Sequence, residues 1–163
     1  MTTTIPFKII SIGGEGYHLM MKVYINGKGA NVIIDTGASK TVFDKKRILK
    51  YVTDKKFGKH DNLSSGLGTS TMKSQFTEIK KLKIGKIEIQ DYQTILLDLS
   101  HVNKSYHSVG LTQVEGVLGS DILLKYNAVI DYGKKKLKLK KASFLSPLPE
   151  GERSGRKERK YKH

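Results

Sequence analysis

Apolar residues recur along this chain in short runs broken by glycines or polar pairs, a spacing that predicts strands more than helices. Residues 5–12 are apolar-rich and stop at Gly13-Gly14. Residues 18–25 and 30–34 flank Asn26-Gly27-Lys28-Gly29. An Asn-Gly pair between two apolar runs predicts a β-hairpin, because both turn residues accept positive φ. Residues 17–34 therefore read as one hairpin whose second strand stops at Asp35. Residues 44–52 read as a short helix with Asp44 as its N-cap, and residues 55–61 as a polar loop. Strands are expected at 72–79, 82–84, 87–89 and 92–97, with a glycine-rich turn at 64–70 before them and a turn at Gly85-Lys86. Residues 98–113 read as a polar connection. Residues 116–119 form a small apolar strand, residues 121–126 a helical turn or two capped by Asp121, and residues 128–132 another strand. Near the end, Leu137 and Leu139 alternate with Lys136, Lys138 and Lys140, the pattern of a half-buried strand with its lysines in water.

Many short strands at intervals of about 8–12 residues, with little helix, predict an all-β barrel or sandwich. The length of 163 residues allows one domain of that kind, and 37% hydrophobic residues is enough for one core. No cysteine is present, which excludes a disulfide scaffold and any thiolate metal site. The histidines, His18, His60, His101, His107 and His163, show no metal-ligand spacing. No basic leader with an apolar stretch and no apolar run of membrane-spanning length is seen, so the expectation is a cytoplasmic protein with no membrane span.

The net charge of +15 is uneven: residues 134–163 hold 12 basic and 3 acidic residues and carry +9 of it. From Ser146 onward the sequence has Pro, Gly and charge but no apolar period, and the division expected is a folded domain over 1–143 and a basic disordered tail over 144–163. A basic end raises the question of nucleic acid. Single-strand binders interleave aromatic with basic residues on one strand face. Here the partners of the lysines are leucines, so the charge reads as a solvated strand face and a tail, and no specific nucleic acid is expected.

The chemistry concentrates in Val32-Ile33-Ile34-Asp35-Thr36-Gly37-Ala38-Ser39. Three β-branched residues drive a buried strand that delivers one carboxylate at its end, next to a hydroxyl and a glycine able to turn tightly. An Asp-Thr-Gly alone is also an ordinary strand-to-turn sequence. Some 80 residues later comes Gly116-Val117-Leu118-Gly119-Ser120-Asp121-Ile122-Leu123, followed by the strand at 128–132. With the glycine-rich segment at 64–70, these elements in this order resemble the retropepsin-like aspartic proteases, over about residues 17–139, and most of all the single-domain retroviral and bacterial type.

The resemblance implies a closed all-β barrel with one or two short helices. It implies an aspartic endopeptidase in which Asp35 is the catalytic aspartate, Thr36 the residue whose hydroxyl reaches the partner chain's loop, and Gly37 the tight-turn glycine. Ala38 and Ser39 would continue the substrate-binding loop, and Ser39 would hydrogen-bond within it. Gly66, Leu67 and Gly68 would form the tip of a flap over residues 63–71. Val117, Leu118 and Gly119 would support the catalytic loop, and Asp121 would cap the short helix. The terminal strands near residues 5–10 and 135–140 match regions that join the dimer. The implied reaction uses water and two carboxylates, with neither cofactor nor metal.

One Asp-Thr-Gly is present; Asp131-Tyr132-Gly133 lacks the small hydroxyl and reads as a strand end. The pair must then come from two chains, with an extended peptide bound between them. Pepsin-like members commonly have Ser where this chain has Ala38. A serine hydroxyl there would favour the ionised carboxylate, so its absence predicts activity at mildly acid to neutral pH. Two other readings stay open: a catalytically silent peptide-binding or dimerisation domain of the same fold, and a basic β-barrel that binds nucleic acid.

Overall fold

The computed structural model describes residues 1–14, 16–52, 58–60 and 74–142. Ten strands form one sheet: β1 Thr2–Ser11, β2 Tyr17–Ile25, β3 Lys28–Ile34, β4 Val42–Asp44, β5 Gly58–His60, β6 Ser74–Ile84, β7 Ile87–Leu97, β8 Gly116–Leu118, β9 Val129–Asp131 and β10 Lys136–Lys140. Two helices join them, α1 Ser100–Ser108 and α2 Ser120–Lys125, with a 3-10 turn at Arg47–Lys50.

The strand order is β5-β6-β7-β4-β8-β3-β2-β1-β10-β9, and β6 also pairs with β2 through Tyr24 opposite Lys83 and Ile25 opposite Leu82. That extra pairing closes β2, β3, β8, β4, β7 and β6 into a six-stranded barrel. The all-β closed barrel with two short helices is the architecture expected from the sequence. Its inside is filled by residues of alternating strand positions, among them Val23, Ile25, Val32, Phe43, Ile79, Leu82, Ile84, Ile87 and Leu118. Outside the barrel wall, a smaller cluster of Met20, Ile33, Tyr106 and Val114 packs beneath α1. Thus the β2 and β3 ends nearest Asp35 are covered on both faces.

The hairpin over 17–34 is present, and Asn26 and Gly27 both have positive φ (49° and 83°), as its two-residue turn requires. The lysine strand is present as well: Leu137 and Leu139 are fully buried between exposed lysines of β10. β10 pairs with β1 and β9 of its own chain, and β1 with β10 and β2. The terminal strands are therefore joined to each other within the protomer, and β9 is the sheet's open edge on that side.

Four expectations change. The strand pairs at 72–79 and 82–84, and at 87–89 and 92–97, are single long strands, β6 and β7. Their polar breaks mark a kink where Asp91 takes φ 48° and where Lys80 and Asp91 drop out of the paired register. The loop expected at 55–61 contains β5. The helix expected at 44–52 shrinks to the turn at Arg47–Lys50, because Asp44 ends β4. Asp44 does bind the turn's start, taking the N–H of Lys46 and Arg47 on Oδ2, but its Oδ1 takes the N–H of Leu99.

The polar connection at 98–113 contains α1. Leu99, Asn103 and Tyr106 are buried at helical spacing while His101, Lys104 and His107 face water. The helix ends in a Schellman motif: Gly110 has φ 74°, the Leu111 N–H donates to the Tyr106 carbonyl, and the Gly110 N–H donates to that of His107. The boundary at residue 144, the tail beyond it, and Gly66, Leu67 and Gly68 lie outside the described residues.

Candidate active site

Asp35 follows directly on β3, whose buried residues Val32, Ile33 and Ile34 run parallel to β8 with Ile33 opposite Val117 and Ile34 opposite Leu118. The ladder continues one step further, where the Asp35 N–H donates 3.0 Å to the Leu118 carbonyl. The chain then turns, with Ala38 N–H on the Asp35 carbonyl (3.2 Å) and Gly37 N–H on Asp35 Oδ1 (2.9 Å). A side chain on Gly37 would place its first carbon 3.2 Å from that same Oδ1. The carboxylate is exposed, and its other oxygen has no hydrogen-bond partner among the described residues.

The loop after Asp35 is held from below by the start of α2. The Ser120 N–H donates to the Ala38 carbonyl (2.7 Å) and the Ser120 hydroxyl to the Thr36 carbonyl (2.8 Å). Gly119 is the closest approach: any Cβ there would lie 2.6 Å from the Lys40 carbonyl group and 2.8 Å from the Ala38 oxygen. The bracing expected of Ser39 is supplied instead by Ser120; Ser39 is exposed and makes no hydrogen bond among the described residues. Val117 lines the cavity beside Asp35, and Leu118 offers its carbonyl to the Asp35 N–H.

Asp121 is not a helix cap. Gly119 occupies the cap position of α2, and Asp121 sits in its first turn. Its Oδ1 accepts from the Thr41 N–H (2.9 Å), the Thr41 hydroxyl (2.7 Å) and the Ile122 N–H (2.9 Å), while Oδ2 accepts from the Tyr92 hydroxyl (3.1 Å). The Thr41 oxygen in turn accepts the buried Gly119 N–H at 2.9 Å. One carboxylate thus ties the far end of the Asp35 loop to β7 and α2. Burial, and then the Asp121 charge, push the Tyr92 phenol far above its ordinary range, so it stays a donor at any working pH.

Sequence reasoning also passed over Glu115. Buried just ahead of β8, it accepts the Asn31 N–H (2.6 Å) on Oε2 and the Arg47 guanidinium (2.7 and 3.2 Å) on Oε1. Arg47 reaches Gln113 as well, at 2.8 Å. An acidic residue immediately before an all-apolar strand was the signal available. Thr41 and Tyr92 gave none, since neither stands out by type or spacing.

Beside Asp35 and Thr36 opens a cavity of about 400 Å³ whose walls include Ile33, Leu99, Val102, Val117 and, at its far end, His18 and Tyr106. His18 Nδ1 and the Tyr106 hydroxyl are 2.5 Å apart. The Tyr106 ring is fully buried, which raises its phenol pKa. Around Thr36 a second, shallower hollow is lined by Ser120, Leu123, Leu124, Ala128 and Ile130. Exposed apolar groups ring this face: Leu124 at 76%, Tyr17 at 70% and Tyr132 at 61%. Among the described residues no group of acids and histidines could hold a metal ion, and no helix is long and apolar enough to cross a membrane.

A carboxylate on a tight Asp-Thr-Gly turn, carried by a strand paired to an apolar-apolar-Gly segment, is the arrangement that the family comparison addresses. The model of the aspartyl protease family matches residues 21–122, which include Asp35, its loop and Asp121. The chain belongs to the aspartyl protease family. Its fold is retropepsin-like: a retropepsin-like aspartic protease from Rickettsia conorii superposes with a TM-score of 0.52 at 22% identity, over 85% of this chain and 92% of that one. The retroviral protease-like domain of Ddi1 from Leishmania major superposes with a TM-score of 0.51 at 13% identity, over 75% of this chain and 87% of that domain. No curated protein sequence matches the chain.

Proposed function

We propose that the protein is an aspartic endopeptidase whose site is completed by a second copy of the chain. The observation that carries this reading is the Asp35 carboxylate, exposed on a loop fixed from three sides and with one oxygen free. The apolar, exposed face around Thr36 and the open edge of β9 support the second copy as the partner, since patches of this kind mark association surfaces. Two Asp35 carboxylates brought together across a two-fold axis cannot both ionise and share one proton. The ionised one takes a proton from a bound water as its oxygen attacks the scissile carbonyl. The protonated one gives its proton to the carbonyl oxygen. The tetrahedral intermediate then collapses: one of its hydroxyls returns a proton to the ionised carboxylate as the C–N bond breaks, and the leaving nitrogen takes a proton from the other, so the dyad again holds one proton. In this reading Thr36, whose hydroxyl makes no hydrogen bond among the described residues, meets the partner's loop.

Substrate would lie extended across the site, hydrogen-bonded like an added strand. The cavity under α1 would take an apolar side chain next to the scissile bond. Gly66, Leu67 and Gly68 would close over it as a flap, a role consistent with the antiparallel pairing of β5 with β6 on either side of that segment. The test is cleavage of a diverse peptide library by the wild type and by Asp35→Asn across a range of protein concentrations. Cleavage that is lost in Asp35→Asn and falls steeply on dilution is expected. Cleavage retained in purified Asp35→Asn overturns the assignment, and a monomeric wild type with no cleavage at any concentration favours the silent peptide-binding domain.

A further inference from the structure

Where the Asp35 loop runs on into Lys40 and Thr41 lies a cavity of about 430 Å³ that the proposed mechanism does not use. Its wall includes Lys40, Thr41, Phe76, Tyr92, Ile95 and Asp121. We infer that Lys40 and this cavity select an acidic side chain of the peptide that the site binds. The inference rests on the proposed function for its setting, and deepens it by naming a substrate class.

Three features carry it. Lys40 belongs to the same loop as Asp35: Asp35 and Thr36 line the cavity beneath α1, Lys40 and Thr41 line this one, and both cavities therefore lie along one stretch of chain. An extended peptide sends successive side chains to opposite sides, and one peptide can therefore fill an apolar cavity beside Asp35 and reach Lys40 with a neighbouring residue.

The second feature is charge. Lys40 is exposed and enters no ion pair among the described residues. The other charged group on the wall, Asp121, is committed: its two oxygens accept four donors from Thr41, Ile122 and Tyr92. It is turned into the loop and offers little to a ligand, whereas the ammonium of Lys40 has all three donors available. A carboxylate from a ligand would meet one uncommitted cation over an aromatic and aliphatic wall. A lysine from a ligand would meet like charge.

The third feature is rigidity. The Lys40 carbonyl is packed against Gly119 so closely that a Cβ would lie 2.6 Å from it, and the next residue is bonded to Asp121 through both its N–H and its hydroxyl. The base of the Lys40 side chain is thus fixed, and only the side chain itself loses freedom on binding. The protein's +15 charge adds long-range attraction for acidic peptides without choosing a position on them.

The experiment uses fluorescein-labelled decapeptides with a Leu-Phe core and a single Glu, Gln or Lys placed in turn at each of the outer positions. Binding is read by anisotropy with Asp35→Asn protein, and cleavage as kcat/KM with Asp35 intact, each for Lys40, Lys40→Met and Lys40→Glu. Glu is expected to be favoured over Gln by about fivefold at one position, the size of a solvent-exposed pair. That preference should vanish in Lys40→Met and invert toward Lys in Lys40→Glu. Because the readout is a ratio between peptides on one protein, a general loss of folding does not imitate it. Equal binding of Glu and Gln peptides, or a preference that survives Lys40→Met, overturns the inference. Selective binding without any cleavage leaves the acidic pocket standing and removes the hydrolytic reading. Cleavage without selectivity does the reverse.

Discussion

Replacing Thr41 by valine keeps the shape of a side chain that is 2% exposed and removes one oxygen atom. That oxygen donates to Asp121 and accepts from the buried Gly119 N–H. Valine therefore leaves one buried N–H without an acceptor, at roughly 1–3 kcal/mol, and takes one donor from a charged group that keeps three others. The second loss belongs at the low end of its range, roughly 1 kcal/mol, and the total is about 3 kcal/mol. A domain of roughly 140 residues unfolds with an entropy of about 0.3 kcal/mol per kelvin, so Tm should fall by about 10 °C. Thr41→Ser keeps the hydroxyl and gives up one methyl, worth about 1 kcal/mol or about 3 °C. Differential scanning calorimetry on wild type, Thr41→Val and Thr41→Ser measures all three. Two results would refute the reasoning: Thr41→Val melting within 3 °C of wild type, or Thr41→Ser falling as far as Thr41→Val. Either would mean that the hydroxyl does not hold the loop.

Removing the guanidinium in Arg47→Met leaves Glu115, 5% exposed, without its cation and with the Asn31 N–H and the neighbouring Tyr51 phenol to face its charge. Arg47 is itself 23% exposed, so the cost should lie below that of a fully buried pair, at about 2–3 kcal/mol by chemical denaturation. Alkali offers a different probe. Burial raises the phenol pKa values of Tyr92, Tyr106 and Tyr126 in the folded state. Their contribution to stability is then fully present below the ordinary value of about 10 and is lost as pH rises through the folded values. Phenolate absorbance should show these three tyrosines titrating late and together with unfolding; their titration well before the unfolding transition would contradict the burial.

Much of the barrel was legible because its strands carry their own evidence. The hairpin over 17–34 was marked by Asn26-Gly27, and β10 by the leucine–lysine alternation, both of which are local physics. The catalytic-type turn was legible for the same reason, as apolar residues running into Asp-Thr-Gly. What escaped were features defined by contacts between distant segments. The helix α1 presents Asn103 and Tyr106 inward behind the buried Leu99 at its cap, and both of its buried positions are polar side chains that read as loop. Asn103 is buried because its amide pairs with both the N–H and the carbonyl of Val114, an exchange that no local pattern announces. Asp121 looked like a cap because it precedes a short apolar helix. Its actual partner, Thr41, is 80 residues away.

The carboxylates of this protein show how scaffold and chemistry are separated. Asp44 accepts three backbone N–H groups, Asp121 three donors on one oxygen and a phenol on the other, and Glu115 a backbone N–H and a guanidinium. Each is spent on joining separate segments: β4 to α1, the Asp35 loop to α2 and β7, and the Arg47 turn to the neighbouring ends of β3 and β8. Buried charge is tolerated there because every one is paired. Asp35 differs in kind. It accepts a single N–H, that of Gly37, and keeps an oxygen free at the surface, although three satisfied carboxylates fix the frame around it. Freedom at that one group is useful only if something else approaches it, and among the described residues only the Gly37 N–H bonds to it. In the proposed reading a water, a peptide and a second carboxylate approach this group, and one measurement, the dependence of cleavage on protein concentration, tests the association of two chains and the chemistry at Asp35 together.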